Sequence, residues 1–240
     1  MQTVFRRYEK KYRLNAAQYA ALAVRLAGRM TRDAYGAYTV FNLYYDTAGF
    51  DLIRASVEKP LYKEKLRLRC YESPRDDTPV FLELKKKYDG IVSKRRIRLP
   101  YAEARDFPRS ADAALANGSQ IAREIEYFLS RYPVSAKLFL AYERVALKGA
   151  EADGDLRITF DSGIRFRLTD LRLDSAARGR AILEDVILME VKNSGNLPSW
   201  LCRILNEEAV FPASFSKYGF CYTEHILRDA LGERRRSAHA

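Results

Sequence analysis

Residues 62–71 read YKEKLRLRCY, residues 80–88 read VFLELKKKY and residues 91–99 read IVSKRRIRL. Each places Lys or Arg two residues apart: Lys65, Arg67 and Arg69; Lys85 and Lys87; Lys94, Arg96 and Arg98. In a strand, successive side chains point to opposite faces, so these cations form rows on one face. The alternate residues Leu66, Leu68, Ile97 and Leu99 are apolar and assign the core to the other face. A merely solvated sheet face mixes its signs, whereas here the neighbours are almost all positive. Like charges directly across a sheet destabilise it unless an anion sits among them. The pattern therefore predicts a sheet that packs on one face and binds an anion on the other.

Outward from this stretch the chain reads as strands 4–13, 39–45, 135–148, 156–160, 164–168 and 181–192 beside the three above, with helices at 119–132, 198–208 and 222–231. Another helix starts after Asn15, a candidate cap, with Leu22 and Leu26 at helical spacing and a stop near Gly28. Asp89-Gly90 is a hairpin turn signal that pairs two cationic rows. No internal repeat or Gly/Ser linker divides the sequence, so one domain over 1–232 is expected, with a basic frayed tail at 233–240 that is given no role. Many antiparallel strands with one charged face predict an α+β fold built on a closed antiparallel β-barrel of about eight strands, flanked by helices, with the charges lining a water-filled tunnel.

Composition limits the function. The 240 residues carry a formal charge of +11, which calls for an anionic partner. The N-terminus MQTVFRRYEKKY has no apolar core of a signal peptide, and no apolar run is long enough to span a bilayer. The three cysteines are odd in number and widely spaced, as for reduced thiols, so a cytoplasmic location is expected. Only two histidines occur, both near the C-terminus, so neither a zinc site nor a phosphohistidine intermediate has a good candidate. The phosphate-cradling and nucleophile motifs of the familiar nucleotide and hydrolase folds are missing.

The later strands add the missing sign. Tyr142 and Arg144 share a face, as do Arg157, Thr159 and Asp161, and Glu190 stands beside Lys192. Glu190 is either a salt-bridge partner or a metal ligand. Mg²⁺ or Mn²⁺ needs only one or two protein carboxylates when phosphate oxygens complete its shell, and Glu190 with Glu9 or Asp161 would suffice.

The ordered motifs YEKKY (8–12), LYYDT (43–47), KLRLR (65–69), ELK (83–85), SKRR (93–96), YER (142–144), RITFD (157–161), MEVK (189–192) and SKY (216–218) resemble those of the VTC domain. That is the catalytic domain of the vacuolar transporter chaperone-type polyphosphate polymerases, within the triphosphate tunnel metalloenzyme superfamily. The resemblance spans nearly the whole chain. It implies transfer of the γ-phosphoryl of ATP onto inorganic polyphosphate, dependent on Mn²⁺ or Mg²⁺. By position in those motifs, Lys11, Arg67, Arg69, Lys85, Arg144, Arg157 and Lys217 would act on the transferring phosphates. Lys65, Lys94, Arg96, Tyr142 and Lys192 would bind substrate, and Glu190 with Glu9 would hold the metal. ATP and polyphosphate are the implied partners; unidentified protein partners are allowed, and nucleic acid is not favoured. Where the family pattern has a further lysine, this chain has Ser214. Triphosphatases of the superfamily carry E-x-E-x-K on the first strand, where this chain reads Arg7, Glu9, Lys11. The first carboxylate is lost, which favours a polymerase over a triphosphatase or polyphosphatase, while Glu9 keeps the latter open. A noncatalytic polyphosphate-binding module is the third reading.

Overall fold

The computed structural model describes residues 8–58, 60–89, 91–116, 118–153 and 155–231. Nine strands form its sheet: β1 Tyr8–Leu14, β2 Met30–Asp46, β3 Tyr62–Cys70, β4 Pro79–Tyr88, β5 Ile91–Pro100, β6 Ser135–Gly149, β7 Arg157–Arg167, β8 Arg180–Ala181 and β9 Ile187–Asn193. The helices are α1 Ala16–Ala27, α2 Asp51–Val57, α3 Tyr101–Ala104, α4 Ala111–Leu115, α5 Gln120–Arg131, α6 Ser199–Glu207 and α7 Lys217–Cys221, the last running on into a π-helical turn, Tyr222–Ile226.

The strand order is β1-β9-β7-β6-β2-β3-β4-β5, with β8 alongside β7. This corrects the expected barrel. The order starts at β1 and ends at β5, so among the described residues the sheet is open, with nine strands rather than a closed ring of about eight. Alternation tells which face of a strand is apolar, but closure depends on tilt and stagger across every strand pair, which alternation does not encode. The edge strand β5 is rich in Lys and Arg, a feature that also discourages a further strand from pairing there.

The chain groups into two compact units, residues 1–41, 141–165 and 177–214, and residues 42–140, 166–176 and 215–240. In the first, Tyr12, Leu14, Ile158, Phe160, Met189 and Val191 point from one face of β1, β7 and β9 into a core shared with Leu22 and Leu26 of α1 and Leu201, Ile204 and Leu205 of α6. Asn15 caps α1: its side chain accepts from the Gln18 N–H at 2.8 Å, and Gln18 returns a bond to the Asn15 N–H at 3.1 Å. In the second unit, Leu66, Leu68, Leu82, Leu84, Ile97 and Leu99 are buried on one face of β3–β5, and α5 buries Ala122, Ile125 and Phe128. Ser119 caps α5 through the Ala122 N–H.

Several elements depart from the sequence reading. β2 begins at Met30 rather than at 39, and the two strands expected at 156–160 and 164–168 are one, β7, in which Gly163 takes φ 57°. A left-handed residue looks like a break in sequence, yet glycine takes that conformation without leaving the strand. The C-terminal part of the strand expected at 181–192 is β9, while 181 belongs to the two-residue β8. The β4–β5 hairpin forms with Tyr88 opposite Ile91 and Asp89 at φ 41°, while Gly90, the start of the first strand at 4–7 and the tail 233–240 lie outside the described residues.

Candidate functional site

On β3, β4 and β5 the register places the basic side chains in rows across three strands. Lys65 pairs with Lys85 and Lys85 with Lys94; Arg67 pairs with Glu83 and Glu83 with Arg96; Arg69 pairs with Phe81 and Phe81 with Arg98. Lys63 and Lys87 extend the face by one more row. This face carries nine cations and one carboxylate. The second face is the apolar core, whose margin holds Glu64, Lys86, Arg95 and Glu124 in ion pairs of 3.5–3.9 Å.

The single carboxylate was missed by the sequence reading. Glu83 is 1% exposed and lies at the centre of the cations: Arg67 approaches it at 2.8 Å and Arg69 at 3.9 Å, and the Lys94 ammonium is in direct contact with it. Burial alone would raise its pKa, but Arg67, Arg69 and Lys94 outweigh burial and hold the carboxyl well below the usual carboxylate range. The same crowding acts in reverse on Lys94. Desolvation, with Arg67 and Arg69 nearby, lowers its pKa to about 8 despite the pull of Glu83. The signal for Glu83 was its parity with Lys85 and Lys87; the repulsion that argued for an external anion is partly answered from within.

Other groups hold these cations in place. Arg67 Nη1 donates to the Tyr44 hydroxyl at 3.1 Å, and Arg69 Nε donates to Asn42 Oδ1 at 2.9 Å. Lys65 Nζ lies 3.0 Å from Ser216 Oγ, which also accepts from the Gly219 N–H and caps α7, where Lys217 is the first residue. Asp46 anchors this segment. Its carboxylate accepts from the N–H groups of Thr47, Leu52 and Ile53 and from the Tyr218 hydroxyl at 3.0 Å. Asp46 thereby does the work of a cap for α2, five residues before the helix it serves, a separation no short-range cap pattern reveals. Its burial raises the carboxyl pKa against the effect of those four bonds.

In the first unit, β1 and β9 face each other with Glu9 opposite Lys192 and Lys11 opposite Glu190. The charges form a closed square: Lys11 lies 3.4 Å from Glu9 and 3.7 Å from Glu190, and Lys192 lies 3.9 Å from Glu9 and 3.4 Å from Glu190. On the next strand Arg157 is opposite Lys192 and Thr159 opposite Glu190. Arg157 pairs with Asp33 at 3.0 Å and stays half-exposed.

Asp161, offered above as a metal helper, is already committed. It is fully buried and takes both Nε and Nη2 of Arg144, at 2.6 and 2.7 Å. Burial works against the Arg144 charge, but Tyr142, Asp161 and Glu190 more than compensate, and its pKa is raised. The guanidinium also lies over the Tyr142 ring, 5.3 Å from its centroid. Glu9 and Glu190 are partly exposed carboxylates, the donor type a hard divalent cation takes, but each is paired with Lys11 and Lys192, whose ammonium groups such a cation would have to displace. Among the described residues no cluster of three His, Cys, Asp or Glu is present, so any metal there would draw further ligands from phosphate oxygens and water.

The architecture and these charges define a class: an α+β protein whose antiparallel sheet carries, in each unit, one apolar face packed on a core and one cationic face with embedded carboxylates. More specifically, the chain belongs to the VTC domain family, whose model matches residues 6–224. No curated protein matches its sequence. Similar solved structures include a Vibrio parahaemolyticus protein described provisionally as an adenylate cyclase, 11% identical over 90% of this chain and 97% of that one, with a TM-score of 0.45. Another is a Pyrococcus horikoshii protein, 14% identical over 88% of this chain and 96% of that one, with a TM-score of 0.42. Among the described residues no helix is long and apolar enough to cross a membrane.

Proposed function

We propose that this domain is an ATP:polyphosphate phosphotransferase that lengthens inorganic polyphosphate with the help of Mn²⁺ or Mg²⁺. The observation that supports it most is the ladder of Lys65, Lys85 and Lys94 beside Arg67 and Arg96, a surface suited to a run of phosphates rather than to a single one. A terminal phosphate oxygen of the chain attacks the γ-phosphorus of ATP, the bond from that phosphorus to the β,γ-bridging oxygen breaks, and ADP leaves with the electron pair. The nucleophile is already anionic, so no general base is required, and the work of the protein is positioning and charge stabilisation.

Lys11, Arg67, Arg69, Lys85, Arg144, Arg157 and Lys217 would take the reacting phosphates, and Lys65, Lys94, Arg96, Tyr142 and Lys192 would hold nucleotide and polymer. Planar guanidinium groups grip phosphate oxygens in pairs, while lysines act as point charges on a sliding polymer. Glu9 and Glu190 would hold the divalent cation, which when bound neutralises charge on the phosphate oxygens. We place the activity in the cytoplasm, which the free thiols of Cys70, Cys202 and Cys221 support.

The hydrolytic alternative draws its support from Glu9, retained beside Glu190. The test of the metal assignment is Glu190→Gln, which keeps shape and removes charge. Mn²⁺ binding followed by electron paramagnetic resonance, and phosphoryl transfer with it, should fall more than tenfold while metal-free tripolyphosphate binding is kept or strengthened. Unchanged Mn²⁺ binding would mean that Glu190 is only a partner for Lys11 and Lys192.

A further inference from the structure

The cationic face of β3–β5 ends in an aromatic row. Phe81 stands directly between Arg69 and Arg98 in the register, and it is partly exposed. The Arg96 guanidinium lies 4.9 Å from its ring centroid, and the Tyr71 ring meets it edge to face at 5.8 Å. Tyr71 itself is 37% exposed. The row sits one step, roughly 7 Å, beyond the Arg67, Glu83 and Arg96 row, and two steps beyond the three lysines.

An apolar ring at the end of a phosphate-binding ladder has no use for phosphate. Phosphates are hydrophilic and gain nothing from a benzyl group. An arginine guanidinium laid over a Phe ring with a second aromatic at its edge is instead a surface on which nucleobases stack, because the base offers a π-face to the planar cation and to the rings beside it alike. We infer that Phe81, with Tyr71, Arg96 and Arg98, forms a subsite for the base of a nucleoside triphosphate whose phosphates run along the adjoining rows. The inference rests on the triphosphate reading above. Arg96 would serve both parts of the ligand, its charge toward the α-phosphate and its plane toward the base. Stacking tolerates any base, so the subsite would favour nucleotides over inorganic tripolyphosphate and discriminate weakly between purines.

The experiment compares ATP with inorganic tripolyphosphate and with single-stranded oligoadenylate by calorimetry on the full chain, for the wild type, Phe81→Leu and Tyr71→Leu. Leucine keeps each position apolar and removes the π-face. The expected result is about a tenfold loss of ATP affinity for Phe81→Leu, at the lower end of what stacking one base provides, a smaller loss for Tyr71→Leu, and unchanged tripolyphosphate affinity for both. Equal ATP affinity in the wild type and both variants would overturn the subsite and leave the triphosphate reading standing. Parallel loss of both ligands would overturn it too, because Phe81 would then act through the ladder itself. A wild type that binds neither ligand would overturn both readings, and one that prefers single-stranded oligoadenylate to ATP would turn the face into a nucleic-acid platform.

Discussion

Glu83→Gln tests how the cationic face is held together. The carboxylate is 1% exposed and faces Arg67, Arg69 and Lys94, so the amide leaves three cations around a neutral group. Removing one partner of a buried ion pair costs about 3–5 kcal/mol. Arg67 and Lys94 keep 20% and 39% of their side-chain exposure, which lets water take up part of the charge and brings the expected loss to about 2–3 kcal/mol. For a chain of this size that is a fall in Tm of roughly 4–12 °C. The face that loses its internal anion should also bind an external one better, so tripolyphosphate affinity should rise severalfold. At a hundred times its Kd the ligand adds about 2.7 kcal/mol of stability, enough to return the variant to the melting temperature of the ligand-free wild type. Thermal denaturation with and without tripolyphosphate, in a buffer free of multivalent anions, measures both effects. The pH dependence carries a sign as well. A carboxyl held low stabilises the fold above its unfolded pKa of about 4.3 and loses that contribution only as pH falls through its lower folded value, so the variant should show a flatter acid limb. An unchanged Tm in anion-free buffer, or a fall that tripolyphosphate does not repair, would refute this account of the face.

The Lys94 pKa of about 8 lies below that of a free lysine, so between pH 8 and about 10.4 the unfolded chain binds the proton that the native one has shed, and stability from this group rises with pH. Over the same range tripolyphosphate binding should weaken and take up a proton, as calorimetry in buffers of different ionisation enthalpy would detect, and Lys94→Met should abolish that uptake. Arg144→Met robs buried Asp161 of its bidentate partner and should cost about 3–5 kcal/mol, most of it recovered in the Arg144→Met, Asp161→Leu double variant; denaturant melts of both settle it. Asn15→Ala removes the cap of α1 and should cost about 1 kcal/mol without altering tripolyphosphate affinity.

What could be read from the sequence was set by local physics. The alternation of Lys65, Arg67 and Arg69 with Leu66 and Leu68 is a two-residue pattern, and it correctly separated the two faces of β3–β5. Asn15 as the cap of α1 is equally local. The openness of the sheet was not, because it depends on whether β1 and β5 meet, and no single strand records that. The ion pairs were hidden for the same reason: Arg144 and Asp161 lie 17 residues apart and Glu83 meets Arg67 only through register, so Asp161 looked like an available metal ligand and Glu83 drew no notice until their partners were in view. Asp46 shows the limit most plainly, for its four donors come from two helices and a loop that only the fold brings together.

The central claim is the chemistry, and the direct measurement is of products. Purified protein incubated with γ-labelled ATP and Mn²⁺, resolved on a polyacrylamide gel alongside quantified ADP, should yield a ladder of labelled polyphosphate in amounts matching the ADP released. Labelled free phosphate without polymer would contradict polymerisation and establish the hydrolytic alternative, and intact ATP with no turnover would reduce the domain to an anion binder.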